Sequence, residues 1–252
     1  MFGIIWHTFF FDPIYNGLVF FIDALPGGDV GLAIICITVV VKLILLPLSV
    51  KAVKTQVAMR EIEPQLKAIK EEITDKQEQA QAMMKLYSDA GVKPFASVLL
   101  LFIQLPIIFA LYLSVSKGGG IPLPDINTDL LYAFIPIPEH ASTMFLGFFD
   151  ITNRSLLLAV LAGAAQFLNT HLSLPKLPER DPEAKASMKD DFARNMQLQM
   201  RYILPIVITF FAYTISASIA LYFCVSNIMS VIQELYVRKH RTQPVSESVK
   251  TE

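Results

Sequence analysis

Residues 37–48 read ITVVVKLILLPL. Lys42 is the one charged residue between Val30 and Val50, and reading that run as a membrane span with a buried cation decides the fold class. A bilayer core of about 30 Å takes about 20 apolar residues as a helix. A lysine near its centre costs about 2.5–3.5 kcal/mol, while each Val, Ile or Leu returns about 0.3–0.6 kcal/mol. The thirteen such residues between Val30 and Leu48 offset the charge, so the span inserts. Insertion permits the lysine but does not explain it.

Working outward, the rest of the chain has the same character. Of its 252 residues, 54% are hydrophobic and 17% charged, against roughly 45–50% and about 25% in soluble domains. Further apolar blocks lie at 95–116, 155–174 and 201–237. The last corresponds to about 55 Å of helix, nearly twice the hydrocarbon thickness, which predicts two helices broken at Ser216, Ala217 and Ser218. The expected fold is therefore all-α: a polytopic membrane protein with five transmembrane helices in a core spanning 30–237.

Short loops rich in Lys and Arg stay on the cytoplasmic side. Segments 51–94, 175–201 and 238–252 hold 8, 6 and 4 of the 21 basic residues, whereas 1–29 and 117–154 hold only Lys117 and Arg154. The N-terminus is then expected outside and the C-terminus inside, with 117–154 an outer loop, 175–200 a cytoplasmic loop and 238–252 a short cytoplasmic tail. Residues 1–29 lack a basic start and a clear cleavage site, and Asp12-Pro13 interrupts the apolar run. They are expected to be an extracytoplasmic interfacial segment, with 14–24 a short helix lying flat on the outer leaflet; a cleaved signal is the alternative.

Segment 51–94 reads as a cytoplasmic helical hairpin. Ile62, Leu66, Ile69 and Ile73 recur at helical spacing, Thr74 and Asp75 followed by Gln77 and Glu78 signal a second helix start, and Gly91 and Pro94 close it. Met83, Met84 and Tyr87 form a stripe that seals the two arms, or else offers a soft docking surface. Cys36 and Cys224 lie in apolar runs and imply neither a disulfide framework nor a metal site.

What Lys42 faces is the functional question. The five spans contain no Asp or Glu apart from Glu234, whose natural partner is Arg238 four residues on. An intramembrane cation without a carboxylate faces water or a ligand, unless its stem snorkels to the interface. Thr38, one turn before Lys42, together with Gln104, Gln166, Asn169, Thr209, Tyr213, Thr214, Tyr222, Ser226 and Asn227, supplies polar groups for a wet, positively charged groove opening inward.

At this point several stretches taken in order, GLAIICITVVVKLILLPLSVKAVK, AMREIEPQLKAIKEE, KPFASVLLLFIQLPIIFALYL, MFLGFFDITNRSLLLAVLAG and SIALYFCVSNIMSVIQ, resemble the YidC/Oxa/Alb membrane protein insertases. The likeness is to the short bacterial forms without the large periplasmic domain. It implies five core helices around a hydrophilic groove in the inner leaflet of the bacterial cytoplasmic membrane. It also implies a chaperone-like activity that helps nascent membrane proteins insert, fold and assemble.

Lys42 stands where the family carries an arginine, keeping the charge but losing the planar fork. Ser216 and Ser218 stand where Pro and Gly are frequent. By resemblance Thr38 and Tyr222 fall on groove or substrate-contacting positions, Gln166 on a polar groove position, and Leu105 and Ile108 on a hydrophobic face along which substrate slides. Implied partners are nascent membrane-protein substrates, the lipid bilayer, the Sec translocon, the signal-recognition pathway and the ribosome.

Rival classes fit less well. A transporter or channel subunit would need an acidic mate for Lys42 or a path to both sides. An intramembrane hydrolase using His171 with Cys224 or Ser226 would lack any GxSxG or HExxH signature. No phosphate-binding loop or cofactor motif appears, so no catalytic residue, cofactor or nucleic-acid partner is expected.

Overall fold

The computed structural model describes residues 2–91, 96–116, 121, 123–174 and 195–239. The expected cytoplasmic loop, the far part of the tail and the Pro94 closing signal lie largely or wholly outside them. The chain divides into two compact units, residues 1–44 with 104–231 and residues 45–103 with 232–252. The protein is a mostly helical, polytopic membrane protein.

In the first unit α1 (Phe2–Trp6) continues through a π-helical turn, His7–Phe11, into α2 (Asp12–Ala24). The expected interruption at Asp12-Pro13 does not occur. Pro13 comes just after the π-helical turn, where the Asp12 N–H reaches back to the His7 carbonyl, and that wider turn carries the helical backbone past the proline. Nor is 14–24 a separate helix: Tyr15, Leu18, Val19 and Ile22 are buried and α2 packs on α3 (Val30–Ile44). Buried Asn16 donates to the Asp12 and Leu130 carbonyls at 2.9 Å and accepts from the Tyr132 N–H at 2.7 Å, tying the loop after α7 (Ala96–Ser116) to this helix.

The apolar run 30–50 is broken at Leu45, and α4 (Leu46–Glu61) begins immediately after. A single helix over 30–50 was expected. Pro47 cannot donate to the carbonyl four residues back, and its ring disfavours helical geometry at Leu46. The Ser49 amide and hydroxyl bond the Leu45 and Leu46 carbonyls at 2.9 and 3.0 Å, which starts the new helix.

The loop before α8 (Leu156–Ser173) holds a short antiparallel hairpin, β1 (Met144–Phe145) and β2 (Phe149–Asp150), inside an otherwise helical chain. Its turn places Leu146 at φ 52° and Gly147 at φ 76°, closed by the Phe148 N–H on the Phe145 carbonyl at 3.1 Å. For Leu146 this left-handed conformation costs about 1–2 kcal/mol. Burial raises the pKa of the Asp150 carboxyl, but hydrogen bonds from Thr152, Thr143 and Asn153 outweigh it and hold the group below the usual carboxylate range.

Beyond lies α9 (Asn195–Ile215), with a π-helical turn at Gln199–Ile203. Its described part is already helical six residues before the expected 201. Ser216 is extended at φ −170° and α10 (Ala217–Lys239) follows, so the long block does break where its small polar residues stand. The freed amides are paired: Ala217 N–H donates to Asn153 O at 2.8 Å and Ser218 N–H to Ile151 O at 2.9 Å.

Small residues let α8 and α9 meet closely. Ala159, Ala162, Ala212, Ala217 and Ala220 share one core cluster, and a Cβ on Gly163 would collide with the Thr209 side chain. That close approach is how membrane helices gain dispersion contacts without a hydrophobic driving force.

The second unit holds the hairpin, whose first arm is itself broken at Ile62 before Pro64 starts α5 (Glu63–Glu72). Asp75 caps α6 (Lys76–Asp89) by accepting from the Gln77 and Glu78 amides at 2.7 and 3.0 Å. Ala58, Ile62, Leu66 and Ala90 form its core, with Met83, Leu86 and Tyr87 packed on them. Met83 and Tyr87 thus seal the arms, whereas Met84 points to solvent. By length and composition, three of the described helices can cross a membrane, or four if α3 and α4 count as one span; Phe102–Ser116 is a shorter apolar helix.

Candidate functional site

The polar residues inside the first unit gather along α10, whose Tyr222, Ser226 and Ser230 recur every fourth position on one helical face. Lys42 in the last turn of α3 donates from Nζ to Ser230 Oγ at 3.1 Å, and Ser230 donates on to the Ser226 carbonyl at 2.9 Å. The lysine is half-buried, and among the described residues no carboxylate forms an ion pair with it. Glu234 pairs with Arg238 at 2.6 Å, as its spacing suggested. An ammonium carries three donors, so Ser230 leaves it further capacity for water or an incoming group.

A second polar cluster lies between α8 and α10. Asn169 Nδ2 donates to Asn227 Oδ1 at 2.9 Å, Asn227 Nδ2 donates to the Phe223 carbonyl at 2.9 Å, and Ser173 Oγ bonds Asn169 Oδ1 at 3.3 Å. One turn earlier, Gln166 Nε2 bonds Thr170 Oγ1 at 3.1 Å. Asn169 to Asn227 is the bond that crosses between the helices, as interhelical amides do in a membrane bundle, and the others lie within one helix.

Thr38 and Tyr222 have different surroundings. They are 2% and 3% exposed and line a cavity of about 10 Å³ with Ile14, Ile37, Val41, Ile107 and Leu111. A space that size barely admits one water, and its wall is apolar. Thr38 bonds the Ile34 carbonyl of its own helix at 2.6 Å. The Tyr222 hydroxyl has no hydrogen-bond partner among the described residues, with Ser226 one turn on in its vicinity. One turn before Lys42 on α3, the packing is therefore tight and mostly apolar.

On α7, Gln104 is half-buried. Within the first unit Leu105 and Phe109 are exposed four residues apart, with Ile108 half-buried beside them. Ile107, Ala110 and Leu111 take the buried face, so one side of α7 is an uncovered apolar wall. Among the described residues no three His, Cys, Asp or Glu side chains come together to hold a metal. Sequence reasoning missed Ser230, although its four-residue spacing from Ser226 was a readable signal.

Residues 21–244 match the family described as 60Kd inner membrane protein. The chain belongs to that family. All the residues just described around Lys42 and along α7 and α8 fall within the stretch shared with the 60Kd inner membrane protein family, apart from Ile14. Among its relatives is a membrane protein insertase YidC of Oceanobacillus iheyensis, 31% identical over 93% of this chain and 84% of the relative. A membrane protein insertase YidC of Clostridium tetani is 31% identical over 85% of this chain and 84% of its own length. A membrane protein insertase YidC 2 of Bacillus anthracis is 28% identical over 93% and 81%.

Proposed function

We propose that this chain is a membrane protein insertase of the bacterial cytoplasmic membrane, and that Lys42 lies in a positively charged, hydrophilic groove open to the cytoplasm. Its five spans run N-terminus out and C-terminus in, with the Leu45 break leaving α3 about 22 Å long and Lys42 near the inner end. The groove is lined by Lys42, Gln104, Gln166 and Asn169, with Ser230 holding the ammonium. Thr38 and Tyr222 form its closed end. The observation that carries this reading is a half-buried cation held by a hydroxyl with no ion-paired carboxylate among the described residues, in a family whose relatives are named insertases.

Physically, a short acidic tail of a nascent membrane protein enters the groove and is drawn toward the ammonium. The hydrocarbon thickness left to cross falls by about half. Meanwhile the client's apolar segment slides along the uncovered wall of α7 at Leu105 and Ile108 into lipid, where burial of about 20 apolar residues drives release. The Sec translocon, the signal-recognition pathway and the ribosome are the partners this activity would meet.

The test is complementation of a strain depleted of its own insertase, at matched protein levels. Lys42→Ala is expected to weaken insertion of a client with an acidic translocated tail far more than Lys42→Arg does. Equal insertion by the alanine variant would remove Lys42 from the mechanism.

A further inference from the structure

The β1–β2 hairpin is fixed to the ends of three helices. Ser142 bonds the Gly28 carbonyl and the Val30 amide at 2.8 and 3.0 Å, the Leu146 N–H donates to Asp29 Oδ2 at 2.8 Å, and Asn153 and Ile151 accept from the first amides of α10. Ser155 then caps α8. The hairpin therefore lies where α3, α8 and α10 all begin, at one end of the apolar bundle. Phe145 turns inward, its ring against the backbone of Gly31. The turn does the opposite: Leu146 is 54% exposed and Phe148 81%.

Residues 143–149 read TMFLGFF and carry no charge, whereas Glu139, His140, Asp150 and Arg154 flank them. The backbone adds an independent sign. Both central turn residues have positive φ, a geometry that favours Asn-Gly or Asp-Gly. A leucine held there, and held with its side chain in the open, points to a use other than closing the turn.

We propose that the turn Leu146–Phe148 is a membrane-contacting element seated among the headgroups and upper acyl chains of the bilayer. It marks the level of the membrane surface at the end of the bundle where α3, α8 and α10 start. The occupant is lipid because the turn is fastened to the beginnings of apolar helices, and α8 at that same end exposes Leu156 and Leu157. The apolar surface thus runs on from the turn to the lipid-facing wall. Aromatic and aliphatic side chains with charged residues at their rim suit that boundary. The inference concerns the opposite end of α3 from Lys42 and does not depend on the groove.

Trp6→Phe removes the one tryptophan of the chain, and Phe148→Trp then sets a single reporter at the turn of the full-length protein in phosphatidylcholine vesicles. Lipids brominated near the headgroup end of the acyl chain are expected to quench it several-fold more strongly than aqueous acrylamide. The reverse pattern overturns the proposal. Leu146→Asn relieves the turn backbone and is expected to reduce lipid quenching while leaving thermal stability undiminished; unchanged lipid quenching would remove Leu146 from the contact. Should Phe148→Trp fail to fold, Met144→Trp, exposed on the same hairpin, carries both quenching measurements with the same readings.

Discussion

Helix α3 carries a charge at each end, and the two are treated in opposite ways. Asp29, just before its first turn, is buried and takes the Leu32 amide on one oxygen and the Leu146 amide on the other, at 3.1 and 2.8 Å. Lys42, in its last turn, is half-buried and has one neutral hydroxyl, that of Ser230. The aspartate is satisfied by backbone donors near a helix N-terminus, where negative charge is welcome. The lysine keeps donors to spare. Both oxygens of the aspartate are engaged, whereas the ammonium is open to a further acceptor.

The largest expected effect breaks the saturated end. Asp29→Ala strands two amides and should lower stability by about 1–3 kcal/mol, seen as an earlier thermal unfolding in detergent. Lys42→Ala, measured in the same way, should cost less, since the single hydrogen bond it loses is offset by removing a charge from an apolar helix. If the lysine variant unfolded earlier than the aspartate variant, the contrast between the two ends would collapse.

A finer test compares Lys42 with the self-satisfied amides nearby. A double-mutant cycle on Asn169→Ala and Asn227→Ala should return a coupling of about 0.6 kcal/mol, the usual value between membrane helices. Ser230→Ala should leave stability nearly unchanged and weaken insertion of acid-tailed clients less than Lys42→Ala does, because it frees the ammonium without removing it. An insertion defect equal to that of the lysine variant would make the hydroxyl an equal participant.

The smallest effect concerns the other capping aspartate. Amides of Glu78 and Gln77 hold the Asp75 carboxyl below its ordinary value of 3.8. Because the folded-state value is depressed, the cap's contribution is fully present above the unfolded-state pKa and fades as pH falls through the lower folded value. Hydrogen exchange at the Gln77 and Glu78 amides, corrected for intrinsic rates, should therefore hold from neutral pH to about pH 5 and loosen in more acidic solution. Asp75→Asn should remove that pH dependence.

Much of this was legible in the order of residues because it follows from local physics. Apolar blocks mark α7, α8 and the pair α9 and α10; Ser216 marks the break between them; Asp75 marks the start of α6 and Glu234 its partner Arg238. The break at Leu45 was visible in Pro47, inside the stretch ITVVVKLILLPL, but hydropathy averages over a proline that costs little apolar area. Asp12-Pro13 misled in the other direction, since a π-helical turn just before the proline carries the helix past it.

What the sequence determined by itself is a membrane-embedded helical chain with a lysine in the first apolar run and no acidic residue in that run to match it. Its tertiary structure alone decided that Ser230, 188 residues away, receives that lysine, that Thr38 and Tyr222 close against apolar packing, and that Asp29 joins α3 to a hairpin. The reason is physical: helix formation and hydropathy are summed over neighbours in the chain, while the partner of a buried polar group is whichever distant residue packing brings within about 3 Å.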